Sequence, residues 1–324
     1  MKIVTRFKND PSTYYAMSIA ATWAGVGSLM MGIEMAQKHG LLPFLLWSLG
    51  NTLACIVYGI LAPSIPKLRD VFRSKIMRTI TGLMCPFQVW ISLNGIQMIF
   101  SETPLGRHFG TAFAVTVAVT YIVMLWHRGM IRNVLHDHIS WIAVYALAFV
   151  VTVLAIYSSG FSPISLGADA SSLSVGVNKM LLLVPGAFLY PYFFEILDYN
   201  DDKADAAHKV DMRRAFVDGC ILFGVSLVFP AILSLTSFGP VLSIAKAVLI
   251  TLIAVSSLSS FQYSIYVSFG RPLGLTLNAA SIALWPMVMA MGVMGVWTLM
   301  GVIRVCIVLA GITAAIAWHL YEGR

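Results

Sequence analysis

The stretch LIAVSSLSSFQYSIYVSFG holds Ser256, Ser257, Ser259, Ser260 and Ser264, the densest run of hydroxyls in an otherwise apolar chain. On a helix, Ser256 and Ser257 with Ser260 and Ser264 put oxygen atoms on neighbouring faces around a turn. Neutral hydroxyls and backbone carbonyls are what a hard cation such as Na⁺ binds; the same serines can instead bond back onto the turn above. Backbone groups become available to a ligand only where a helix is interrupted, and two stretches carry the residues for that. AATWAGVGSLMMGIEMAQKHG has Gly25, Gly27 and Gly32 with Thr22 and Ser28 at its centre. These suit either an unwound backbone, offering carbonyls to a cation or amides to an anion, or close helix packing. KMLLLVPGAFLYPYFFEILDYN has Pro185-Gly186 and then Pro191. Each proline removes a backbone donor and clashes with the preceding turn, which predicts a broken or strongly kinked helix.

Other polar groups lie near these breaks. Glu34 follows Gly25 by the interval that separates Glu195 from Gly186; each is either a gate or proton-sensitive carboxylate or a plain interfacial one. TGLMCPFQVWISLNGIQMIF carries Gln88, Trp90, Asn94 and Gln97, read as a partly polar stripe facing the interior or as helix-to-helix hydrogen bonding. Trp90 offers a ring to stack on an organic solute, or packs. The candidate solute-binding set is Gly25, Gly27, Ser28, Trp90, Asn94, Gln97, Pro185, Gly186, Tyr190 and Gln262. Pro230 and Pro286 are candidate bends, and Asn278 and Trp285 candidate cavity or structural residues. No HExxH, no GxSxG and no paired interior carboxylates occur, so an enzyme is not expected. Cys55, Cys85, Cys220 and Cys306 sit in apolar surroundings without metal-ligand spacing and read as buried small residues.

The elements that must position these residues are membrane helices. Of 324 residues, 59% are apolar and 11% charged, against about 25% charged in an ordinary soluble domain; mean hydropathy is +0.84. Apolar runs long enough to cross the hydrocarbon occur at 14–36, 41–62, 79–100, 110–127, 139–158, 178–198, 213–236, 240–268, 274–294 and 297–319. The expected fold is therefore an all-α integral membrane protein of about ten transmembrane helices, the basic opening MKIVTRFKNDPST being retained ahead of the first. With the N-terminus inside, sixteen Lys and Arg fall on the inner side and five, Lys38, Arg107, Lys179, Lys246 and Arg304, on the outer. That bias predicts a multi-pass protein of the cell (inner) membrane with both termini cytoplasmic. The net charge of +7 is thereby assigned to orientation, and a nucleic-acid partner is not expected.

The connection YSSGFSPISLGADASSLSVGVN carries no Lys or Arg and falls near the middle of the chain. It divides residues 1–158, with five helices starting inside, from 178–324, with five starting outside, across an outward link at 159–177. This is the layout of a 5+5 inverted repeat, with a broken helix at position one of each half.

The pattern resembles the leucine-transporter fold, and within it most closely the sodium:solute symporters. The first segment with its central glycines, followed by LLPFLLWSLGN, looks like that group's opening pair, and AVSSLSSFQYS resembles its eighth-core-helix segment, where adjacent serines ligate Na⁺. The resemblance implies Na⁺ bound by the Ser256 and Ser257 hydroxyls and by the backbone carbonyls of Ile253, Ala21 and Ala24. It also implies sodium-coupled symport of a small organic solute by alternating access. Without an Asp or Arg placed in the centre, that solute is expected to be neutral or zwitterionic. The chain departs from the family in having the core helices alone, and APSIPKLRDVFRSKIMRT lacks its usual turn motif. GAFLYPYFFEIL is loosely similar to the kinked sixth helix of the natural-resistance metal transporters, which implies a proton- or metal-coupled carrier, but their first-helix Asp and Asn pair is absent. A membrane scaffold or accessory subunit is the competing class.

Overall fold

The computed structural model describes residues 11–125, 130–159, 165–203, 209–229, 232, 240–290 and 293–322. All regular elements among the described residues are helices. The first expected span is two helices, α1 (Pro11–Trp23) and α2 (Val26–His39), bent by 63°. The bond pattern explains the bend. Gly25 N donates to Trp23 O rather than a full turn back to Ala21, and Ser28 N donates to Gly25 O, both at 2.9 Å. The helical ladder is therefore interrupted where the glycines begin.

There follow α3 (Leu41–Ser64), the short α4 (Pro66–Arg73), α5 (Lys75–Ser101), α6 (Gly106–Leu125) and α7 (Met130–Ser159). α3 starts at Gly40, whose φ of 98° suits glycine alone; a methyl there would lie 2.7 Å from Gly167 N. The close approach lets Leu41 N and Leu42 N donate to Ser165 O and Leu166 O, each at 3.0 Å, tying the mid-chain connection to the head of α3.

α8 (Ala170–Leu183) begins well before the expected boundary at 178. Asp169 caps it, accepting from Ser172 N at 2.9 Å. Hydrogen bonds from the Ser171 hydroxyl and the Ser172 amide hold the Asp169 carboxyl well below the usual carboxylate range. Pro185 lacks the N–H that α8 needs to continue, and residues Val184–Leu189 tighten into a 3₁₀ helix. Tyr190 is extended, with φ −101° and ψ 102°, and Pro191 opens α9 (Pro191–Asp198) from the first position, where a missing N–H costs nothing. The chain continues through α10 (Met212–Ser226), α11 (Pro240–Phe269), α12 (Arg271–Ala290) and α13 (Val293–Glu322). Pro286 lies inside α12. Pro230 lies outside the described residues.

Among the described residues seven helices are long and apolar enough to cross a membrane, eight when the bent α1–α2 pair is one span. The protein is thus an all-α multi-pass membrane bundle. Of the remaining expected spans, α10 is described over 15 residues and α13 contributes the apolar stretch Val305–Trp318. Val119, Val123, Phe149, Val150 and Val153 point outward, as expected where lipid is the solvent. α11 runs through the interior, packed against α5 and α7 and touching α1, α9 and α12. Small residues set the closest approaches: a methyl at Gly219 would meet Ala16 O at 2.8 Å, and one at Gly59 would overlap Phe216.

Candidate functional site

The two breaks face one another. Trp23, the last residue of α1, donates its indole N–H to Asn51 O on α3 at 2.9 Å, which aims the ring across the gap. A methyl at Gly186 would lie 3.1 Å from that ring, and the Trp23 and Tyr190 centroids are 5.3 Å apart, edge to face. Between them lies a cavity of about 180 Å³. Six of the ten candidate solute residues border it: Gly25, Gly27 and Ser28 from the first break, and Pro185, Gly186 and Tyr190 from the second. Trp47, Asn51, Gln88, Lys179 and Phe261 also line it.

The other four candidates lie elsewhere. Trp90 donates to Ser281 O on α12 at 2.6 Å, Asn94 to Met98 Sδ at 3.2 Å along its own helix, and Gln97 to Thr111 Oγ1 on α6 at 2.6 Å. Gln262 is buried against α6, donating to Ala118 O at 3.1 Å. The stripe expected on α5 does not hold together because positions 90, 94 and 97 lie about 200°, 240° and 180° around the helix from position 88. Gln88 alone of that set reaches the cavity. On α11, Phe261 takes the place expected of Gln262.

The hydroxyl run of α11 meets the first break from the side. Ser257 Oγ lies 4.0 Å from where a Gly25 methyl would sit, and its hydroxyl donates to Ala254 O at 3.1 Å. Thr22 donates to Ser260 Oγ at 2.9 Å, joining α1 to α11. Ala21, Ala24, Ile253, Ser256 and Ser257 are all buried, and the Gly25 and Ser28 amides have turned away from the carbonyls of Ala21 and Ala24.

A buried carboxyl group lies beside them. Asp137, two residues ahead of the segment expected at 139–158, is inside α7 and fully buried. Ser18 on α1 donates to its Oδ2 at 2.6 Å, and Ser256 and Ser259 on α11 reach its Oδ1 at 3.3 and 3.5 Å. Tyr192 on α9 shares a 2.7 Å hydrogen bond with Ser18 and accepts one from Asn133 at 2.8 Å. His136 Nδ1 is 3.6 Å from Oδ1, and its other ring nitrogen meets Tyr121 Oη at 2.7 Å. α1 and α9 thus converge with α7 and α11 on one buried carboxyl group. The signal was present as periodicity, since Asn133, Asp137, Trp141, Val144, Ala148, Val151 and Ala155 are all buried at helical spacing. This donor set is oxygen-rich and includes one carboxyl group, which suits a hard monovalent cation. Among the described residues no group of three or more His, Cys, Asp or Glu comes together.

The glutamates differ. Glu34 pairs with Lys38 one turn on, at 2.8 Å and well exposed, an ordinary surface pair. Glu195 is 3.8 Å from Arg78, beside Arg73 with Asp198 at 2.8 Å and Arg69 with Asp201. These pairs fasten α4 and the head of α5 to the end of the second broken span. Of the cysteines, Cys55, Cys85 and Cys220 are buried as expected, whereas Cys306 is exposed on the outer face of α13.

No protein-family model and no curated protein matches the chain. The functional reading therefore rests on the geometry.

Proposed function

We propose that this chain is a secondary transporter that couples Na⁺ to the movement of a small organic solute by alternating access. One observation carries the reading: the first span is bent beside Gly25, the helix from Ala170 tightens to 3₁₀ at Val184 and gives way to extended backbone at Tyr190, and residues of both irregular stretches border one cavity, Trp23 lying over Gly186. Interrupted spans in corresponding positions are the mark of a carrier whose substrate site lies at the repeat interface. In this reading the chain is a ten-span 5+5 bundle with its basic ends in the cytoplasm.

The cation is held between α1 and α11. Its ligands are the hydroxyls of Ser256 and Ser257, the carbonyls of Ala21, Ala24 and Ile253, and the buried charge of Asp137 as counter-ion. Na⁺ drives uptake only through its preference for one conformation, because a ligand with equal affinity for both shifts neither. Held at α1 and α11, it favours the arrangement in which Ser18 and Tyr192 stay docked on Asp137 and the inner side is closed. Loss of Na⁺ to the cytoplasm frees α1 and α9 to move, and the pairs Arg78–Glu195 and Arg73–Asp198 part as that side opens.

The test is thermal unfolding of the purified protein in Na⁺ against K⁺ and choline, followed by solute accumulation in liposomes under an inward Na⁺ gradient. A Na⁺-specific stabilisation, weakened by Ser257→Ala, is expected. Accumulation driven by a pH gradient without Na⁺ would replace the coupling ion. A chain that neither responds to Na⁺ nor accumulates any solute is a scaffold.

A further inference from the structure

The cavity between the breaks carries one formal charge. Lys179, which the charge count along the sequence assigns to the outer surface, lines it from α8, and among the described residues no carboxylate does. Lys179 is half-buried, and among the described residues no acidic side chain pairs with it. Opposite, α2 begins at Val26, and the cavity is bordered by the residues of its first turn, Gly27 and Ser28. The first turn is the positive end of the helix dipole, with Ser28 N already bonded to Gly25 O. Two sources of positive potential therefore border one space, and among the described residues no carboxylate lines it to offset them. The remaining wall is largely apolar, aliphatic side chains alternating with the rings of Trp23, Trp47, Tyr190 and Phe261, and it carries the side-chain amides of Asn51 and Gln88.

We propose that the solute is a compact apolar monocarboxylate, with its carboxylate on Lys179 Nζ and its body among the four rings. This rests on the solute site argued above and narrows it from the neutral or zwitterionic class expected from the sequence. An amino acid would bring an ammonium into a space without an acid, next to Lys179. The aromatic faces attract a cation, and the neighbouring lysine opposes that attraction. A sugar would set most of its many hydroxyls against apolar side chains, with the Ser28 hydroxyl and the Asn51 and Gln88 amides too few to meet them. Size sets the other bound. A cavity of about 150 Å³ holds one benzene ring, so about 180 Å³ takes a single ring or a short branched chain with its carboxylate. Lys179 lies roughly 9 Å along the helix axis from Pro185, which puts the charged end of the solute toward Ala170 and the apolar end toward Tyr190.

The experiment measures equilibrium binding to the purified full chain in Na⁺, with no gradient. The probes are benzoate and 4-methylpentanoate, against benzamide, benzylamine and phenylalanine. At least one carboxylate is expected to bind, about tenfold or more tighter than every non-carboxylate probe and than phenylalanine. Lys179→Gln should remove that advantage and Lys179→Arg keep it, while Gly186→Leu should abolish binding by filling the space over Trp23. The proposal is overturned if neither carboxylate binds, if benzamide, benzylamine or phenylalanine binds as well, or if Lys179→Gln changes nothing. The probe series on the unaltered chain decides even where a variant fails to fold. Binding of benzoate without Na⁺-driven uptake would sink the transport reading and leave the ligand class standing; Na⁺-driven uptake of a neutral solute, indifferent to Lys179, would do the reverse.

Discussion

The Ser18 hydroxyl donates to Asp137 Oδ2 at 2.6 Å, joining the first half of one broken span to the fifth membrane segment. The same hydroxyl meets Tyr192 of the other broken span at 2.7 Å. Asp137 is thus the point through which both interrupted helices register against α7 and α11.

Replacement of Asp137 should separate its charge from its shape. Asp137→Asn keeps hydrogen-bonding capacity for Ser18 and Tyr192, so the protein should fold and lose its Na⁺-dependent stabilisation. Asp137→Leu leaves several buried groups without partners at about 1–3 kcal/mol each, and its melting temperature in detergent should fall clearly below that of the Asn variant. Equal Na⁺ responses in Asp137→Asn and the unaltered chain would remove the carboxylate from the cation site.

Gly186 measures the space over Trp23. A methyl at 3.1 Å from the ring requires a shift of a few tenths of an ångström, so Gly186→Ala should lower uptake only a few-fold. Gly186→Leu overpacks the contact, at about 1–3 kcal/mol, and fills the cavity. Uptake in liposomes should then be lost while the melting temperature moves by only a few degrees.

The serines of α11 should not be equivalent. Ser257 faces the first break, whereas Ser264 bonds back to Ser260 O at 2.9 Å on its own helix. Ser257→Ala should weaken Na⁺ about tenfold, or about 1.4 kcal/mol, in a titration of thermal stability, and Ser264→Ala should leave the titration unchanged. Matching titrations for the two variants would place the ion elsewhere.

Arg73 and Asp198 close one end of the bundle at 2.8 Å, both partly buried. A double-mutant cycle with Arg73→Gln and Asp198→Asn should give a coupling of about 1 kcal/mol in unfolding. Either single change should also raise thiol labelling of Cys85, which lines the cavity, by loosening that end. Unchanged labelling would reduce the pair to a surface bond.

The membrane class and the places of most of the long helices were legible along the chain, because a lipid solvent demands long apolar runs and pushes charge to their ends. The breaks were legible too: Pro185 and Pro191 remove backbone donors, and the glycines around Gly25 lower the cost of leaving the helix. Those are local effects, carried by the residues that show them. What only the tertiary structure decided is which side chains share a space. Trp90, Asn94 and Gln97 point away from Gln88 because the direction of a side chain follows the rotation of its helix and the partner that rotation meets. Asp137 and Lys179 looked like ordinary loop and surface charges. Their surroundings follow from packing against helices distant in sequence, and charge and hydropathy counted along a chain do not contain that distance.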